Sequence, residues 1–164
     1  MSMTSSATTK VSLPSDTEIL ITREFDAPRD LVFKAMTDPN LIPRWWGPRN
    51  QTTTVDKMDV RPGGRWRFVM GAPDGTTSGF RGEYREVVAP ERIVQTFEWE
   101  PMAGHISVET ATLTERDGRT LLTVRSKFSS KEERDGMVAS GMEAGLRETH
   151  DRFSELLAEL RAGK

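Results

Sequence analysis

Toward the end of the chain, Met142, Leu146, Thr149, Phe153, Leu157 and Leu160 fall on one narrow stripe when successive residues are turned by about 100°. The stripe belongs to residues 130–160, which read as one long helix capped by Ser129 or Ser130, with Glu132 and Glu133 in its first turn. Gly136, Gly141 and Gly145 weaken its first half and allow bending or close backbone approach. An apolar stripe of this length has to be buried against something large. The segments before it determine what that is.

Residues 18–25 have strand composition. Asp26 and Pro28 then signal a helix start, and Leu31, Val32, Ala35 and Met36 give residues 28–37 an apolar face. Asp38-Pro39 repeats the signal and opens a second short helix through Leu41, Ile42, Trp45 and Trp46, stopped by Gly47-Pro48. From residue 51 the pattern turns to strands. Residues 52–60, 65–70, 77–88 and 92–99 are separated by Arg61-Pro62-Gly63-Gly64, Pro73-Asp74-Gly75 and Ala89-Pro90-Glu91. Residues 106–114 and 119–127 pair around Arg116-Asp117-Gly118, a strong hairpin signal. The expected fold is α+β: about seven antiparallel strands, with two short helices after the first, curved around the long C-terminal helix. A twisted sheet of that size curls around one helix and tends to leave a cavity between the two.

Composition narrows the functions. The chain has 164 residues, 23 basic against 25 acidic, and 35% hydrophobic residues. A near-balanced charge gives nucleic acid or an anionic membrane no basic face to hold. The absence of cysteine excludes disulfides and thiolate metal sites, and two histidines leave little for a histidine cluster, so no metal or cofactor is expected. No apolar run approaches the ~20 residues that span a bilayer. Residues 1–16 lack the basic and apolar regions of a secretory signal, so the expected location is the cytoplasm. Being rich in Ser and Thr, they read as a disordered tail before a single domain over residues 17–162.

The order of elements, with specific words along it, resembles the helix-grip superfamily of START-like, Bet v 1-like and polyketide-cyclase proteins. Within it, the chain is similar to the family named for the C-terminal domain of the activator of Hsp90 ATPase. The words are Arg23-Glu24-Phe25-Asp26-Ala27-Pro28, Asp38-Pro39, Arg44-Trp45-Trp46-Gly47-Pro48 and Asp59-Val60-Arg61-Pro62-Gly63-Gly64. Pro73-Asp74-Gly75, Gly82-Glu83-Tyr84-Arg85-Glu86-Val87, Pro90-Glu91-Arg92 and Asp151-Arg152-Phe153 with Leu156-Leu157 continue them, so the resemblance covers about residues 17–160. In the eukaryotic activator a separate N-terminal domain supplies much of the chaperone contact. Only 16 residues precede the fold in this sequence, and that half is expected to be missing. Single-domain members are similar to small-ligand carriers, antibiotic-sequestering proteins and a few cyclases or hydrolases.

The resemblance makes the aromatic strand faces candidate ligand contacts: Trp45, Trp46, Trp66, Phe68, Met70, Phe80, Tyr84 and Trp99, with Met142, Leu146, His150 and Phe153 from the helix. The same side chains serve equally as plain core, and one indole of the Trp45-Trp46 pair as a staple between short helix and sheet. His150 lies about 40° from Leu146 on the helical wheel, at the flank of the stripe. Relatives usually place an apolar residue at 150 and often a Trp at 146, so both departures enlarge and polarise a cavity. His150 is a candidate to orient a ligand hydroxyl or act as a general base; otherwise it is partly exposed and bonded to a backbone carbonyl. Glu109 shares strand parity with Ala111 and Leu113 and is expected inside, needing Arg125, Tyr84 or His150 as partner. Paired with His150 it would form an acid–base dyad; a bulge or register slip would put it in solvent. His105 is expected in a solvated loop, and Asp59 with Arg61 as a structural ion pair.

Three functions compete. The leading one is a binding protein for a small hydrophobic or aromatic molecule; the second is a cyclase- or hydrolase-type enzyme using the same cavity. The third is an Hsp90-type cochaperone or stress-response interaction protein, which would use an exposed surface. A second copy of the chain, as a homodimer, and a chaperone are further candidate partners. An enclosed cavity holding both His150 and a carboxylate favours the enzyme, and one without convergent polar groups favours the carrier. A filled core with an exposed apolar patch favours the interaction protein.

Overall fold

The computed structural model describes residues 8–163. These form strands β1 (Lys10–Ser15) and β2 (Glu18–Phe25), helix α1 (Arg29–Thr37), and a single 3-10 turn at Ile42–Arg44. Strands β3 (Thr52–Met58), β4 (Arg65–Gly71), β5 (Thr77–Val88), β6 (Arg92–Trp99), β7 (Ile106–Arg116) and β8 (Arg119–Lys127) follow. Helices α2 (Lys131–Ala139) and α3 (Met142–Arg161) close the chain. The described strands make one antiparallel sheet in the order β1-β2-β8-β7-β6-β5-β4-β3. The chain thus leaves β2, passes through α1 to the far edge, and meanders back until β8 pairs with β2. The sheet curves around the C-terminal helix, which is the helix-grip arrangement expected from the sequence.

Four local features differ from expectation. Residues 10–15 of the expected tail form β1, an edge strand on β2, while residues 1–7 of that tail lie outside the described residues. β1 buries little of itself and contains Pro14, which an edge strand tolerates because one side needs no donor. The second short helix reduces to the 3-10 turn. α1 starts at Arg29 from an extended Pro28 with no side-chain cap, and Asp26 faces Arg161 at 3.2 Å instead. In β5, a register shift between Tyr84 and Glu86 lets Val87 pack on the core, and Glu86, which simple alternation would put on the face of Tyr84, pairs with Arg92 at 2.6 Å.

The expected single helix is two. Ser130 caps α2 by accepting from the Glu133 amide at 3.1 Å, and the chain breaks at Ser140–Gly141 before α3 begins. Gly141 sits at φ 85°, ψ 18°, a left-handed conformation that only glycine adopts without strain. Gly141→Ala is therefore expected to lower stability by about 1–2 kcal/mol, read as a lower urea midpoint with an unchanged slope.

α3 is riveted to the segment after the 3-10 turn. Arg152 donates to the Gly47 and Pro48 carbonyls at 2.8 and 3.3 Å, Arg49 donates to Glu155 at 3.0 Å, and Arg44 donates to Glu159 at 2.6 Å. These contacts bring the Trp45-Trp46 pair against the helix. Trp45 acts as the staple: its indole donates to the Ala35 carbonyl of α1 at 3.0 Å and stacks on Phe153 at 4.1 Å. Trp46 turns to the sheet, edge-on to Phe68 at 5.1 Å and Phe80 at 5.2 Å.

Candidate functional site: a cavity between sheet and helix

The concave face of the sheet does not pack solidly on α3. A cavity of about 330 Å³ lies between them, bounded by β2, β4–β8, α1, the 3-10 segment, α2 and α3. Its wall is largely apolar and aromatic. The candidates Trp45, Trp46, Trp66, Phe68, Met70, Phe80, Tyr84, Met142, Leu146, His150 and Phe153 all line it, as does Glu109. Trp99 does not. It shares parity with Phe97 but is the last residue of β6, beyond the covered part of the sheet, and is exposed. Met36, Phe97 and Met137 are among the further apolar lining residues.

A row of polar side chains crosses this wall. The register sets Tyr84 opposite Gln95, Gln95 opposite Glu109, and Glu109 opposite Ser126, on four neighbouring strands. All four line the cavity, with Ser107 two residues from Glu109 on β7. Directly opposed side chains in such a ladder lie about 5 Å apart at Cβ, so the row is a continuous strip. The sequence reading named Glu109 and Tyr84 but missed Gln95, Ser107 and Ser126. Their signal was parity: Gln95 alternates with Ile93 and Phe97, and Ser126 with Leu122 and Val124.

Glu109 has none of the expected partners. Arg125 faces outward and pairs with Glu18 at 3.2 Å, and no hydrogen bond joins Glu109 to Tyr84 or His150 among the described residues. The open part of its surface gives onto the cavity, so its carboxyl is desolvated without compensation. Burial alone pushes it up to about 7. Burial also holds the Tyr84 phenol well above its ordinary value.

His150 is buried, not partly exposed, and its partner is not a backbone carbonyl. Nδ1 lies 2.8 Å from the Thr9 hydroxyl, and Arg23 donates to that same oxygen at 3.2 Å. The Thr9 hydroxyl thus links the Arg23 guanidinium to the imidazole. Burial first, and the neighbouring Arg23 guanidinium second, bring His150 down to about 4, so the ring is neutral at pH 7. Arg23 is itself buried, lies 5.4 Å over the Phe25 ring, and meets the exposed Asp151 at 3.2 Å. Thr9 belongs to the expected tail, which no sequence pattern tied to the helix. The Glu109–His150 dyad does not form: each group faces the cavity with a separate environment.

Two minor expectations resolve simply. Asp59 and Arg61 form an ion pair at 2.8 Å, and His105 is exposed beside Glu133 at 3.2 Å. No described helix is long and apolar enough to cross a membrane.

A family model described as Activator of Hsp90 ATPase homolog 1-like protein matches residues 26–158. Among solved structures, a protein of Rhodobacter sphaeroides is similar at TM-score 0.87 and 26% identity, covering 93% of this chain and 99% of its own. Protein Ms6760 of Mycobacterium smegmatis is similar at TM-score 0.81 and 28% identity, over 90% and 95%. An AHSA1 protein of Silicibacter pomeroyi shares the fold at TM-score 0.70 and 22% identity, over 90% and 99%. No curated protein matches the chain in sequence.

Proposed function

This chain belongs to the Activator of Hsp90 ATPase homolog 1-like family, and from that premise we propose that it binds a small apolar or aromatic molecule in the cavity between sheet and helix. The observation that carries this reading is the cavity itself: about 330 Å³ of space walled by aromatic and aliphatic side chains, crossed by one polar strip. Ligand sites are of this kind, mostly apolar with a few placed polar groups, and begin at about 300 Å³. A cochaperone acting through an exposed surface has no use for a hollow core.

Native mass spectrometry of protein purified from its host is expected to show a retained small molecule. Leu146→Trp, which fills the cavity from α3, is expected to remove that adduct and weaken binding of an added aromatic probe about tenfold or more. An empty protein that also ignores such probes would overturn the reading.

The cavity holds both His150 and a carboxylate, and this favours the enzyme as a second reading. Glu109 titrates near neutrality inside the cavity, where a carboxyl serves as acid or base. In that reading Glu109, not His150, moves the proton, since an imidazole at about 4 is a weak base. Glu109→Gln abolishing turnover on an identified substrate would support it.

A further inference from the structure

Among the described residues, the ionisable side chains on the cavity wall are three: Glu109 on β7, Tyr84 on β5 and His150 on α3. No lysine, arginine or aspartate is among the lining residues. Tyr84 stays protonated, because its phenol is pushed further up by burial. His150 is neutral, because burial first, and the Arg23 guanidinium second, disfavour its charged form. Among the described lining residues, the only charge the wall carries near neutral pH is therefore negative, and it resides on Glu109.

An anionic ligand, such as a fatty acid or an aromatic carboxylate, would face that carboxyl with no cation to offset it. A neutral ligand would leave one carboxyl oxygen as an isolated acceptor in apolar surroundings. A cation answers both deficits. Its N–H groups satisfy Glu109 and reach the flanking Gln95 and Ser126, while the aromatic rings of Tyr84 and Phe97 line the same wall, where ring faces favour positive charge.

Resting on the cavity-binding reading above, we propose that the ligand is a small amine: an apolar or aromatic body whose ammonium group pairs with Glu109 on the polar strip. Binding at neutral pH leaves Glu109 ionised, so the fraction of carboxyl protonated beforehand gives its proton to water as the ammonium docks.

Three probes that share a naphthalene body test this on the full chain: 2-naphthylmethylamine, 2-naphthylmethanol and 2-naphthoate, titrated by calorimetry at pH 7. The amine is expected to bind about tenfold or more tightly than the alcohol, and the carboxylate most weakly. In buffers of different ionisation enthalpy, the amine alone should show proton release. Glu109→Gln is expected to erase the amine's advantage and its proton release. If that variant fails to fold, the ranking of the three probes on the parent protein decides alone. Alcohol or carboxylate binding as tightly as the amine would overturn the amine assignment while keeping the cavity reading. An amine preference that survives in folded Glu109→Gln would also overturn it. No binding by any of the three would overturn the cavity reading and this inference together.

Discussion

Phe153→Ala is expected to destabilise the protein by about 3–5 kcal/mol, the range for deleting a fully buried ring from a core. Phe153 is 1% exposed, stacks on Trp45 at 4.1 Å and tilts against Phe25 at 4.9 Å. It is the point where α3, the 3-10 segment and β2 meet. It also lines the cavity, so the space left by the ring joins an existing void and cannot collapse easily. Loss of contact and added void thus act in the same direction. Trp45 would keep its bond to Ala35 but lose the surface it stacks on. For a chain of this length the change corresponds to a melting temperature lower by about 6–20 °C. A loss below about 1 kcal/mol in urea titration would show that the junction is held from elsewhere.

The pH dependence of stability is the second large effect, and two groups pull it in opposite directions. Glu109 is raised to about 7 in the fold from an ordinary 4.5. Between those values the folded protein holds a proton that the unfolded chain has released, so stability falls as pH rises through the window. His150 is lowered to about 4 from 6.5, so the unfolded chain binds the extra proton and stability falls as pH drops from 6.5 toward 4. Where the windows overlap, from about 4.5 to 6.5, the slopes offset each other, and the parent protein should be nearly flat. Glu109→Gln removes one arm. Above pH 7 the variant is expected to be more stable than the parent by about 1–3 kcal/mol, an advantage that shrinks to near zero at pH 4.5. Urea midpoints at pH 4.5, 6 and 8 measure it. An advantage that does not vary with pH would mean that Glu109 is ionised and solvated in the folded state.

Much of this architecture could be read from alternation and turn chemistry alone. Glu109 faces the cavity because it shares parity with Ala111 and Leu113, and the Trp45-Trp46 pair sits between α3 and the sheet, Trp45 stacked on Phe153 and Trp46 against Phe68 and Phe80. What escaped had non-local causes. β1 has too little apolar content to announce a strand and exists because β2 offers an edge. Thr9 meets His150 across nearly the whole chain, a contact that no local pattern encodes. Parity also fails where the ladder slips, which is why Glu86 turned outward, and it does not fix exposure at a strand's last residue, where Trp99 stays exposed. Gly141 was legible as a weak point, but a weak point becomes a break only when φ turns positive.

That break divides the cavity wall into two kinds of material. Past it, α3 is fixed by arginine rivets and by the stacked rings of Trp45 and Phe153. Around it, Met137, Met142 and Leu146 line the wall from α2 and the first turns of α3, on either side of a left-handed glycine. Thioether side chains change shape at little cost, and a short helix on a glycine joint can follow them. The polar strip on the sheet is held rigid by four paired strands. Under the proposed binding function, such a wall would be strict about one functional group and lenient about the size of the body attached to it. It would suit a series of related compounds rather than a single one.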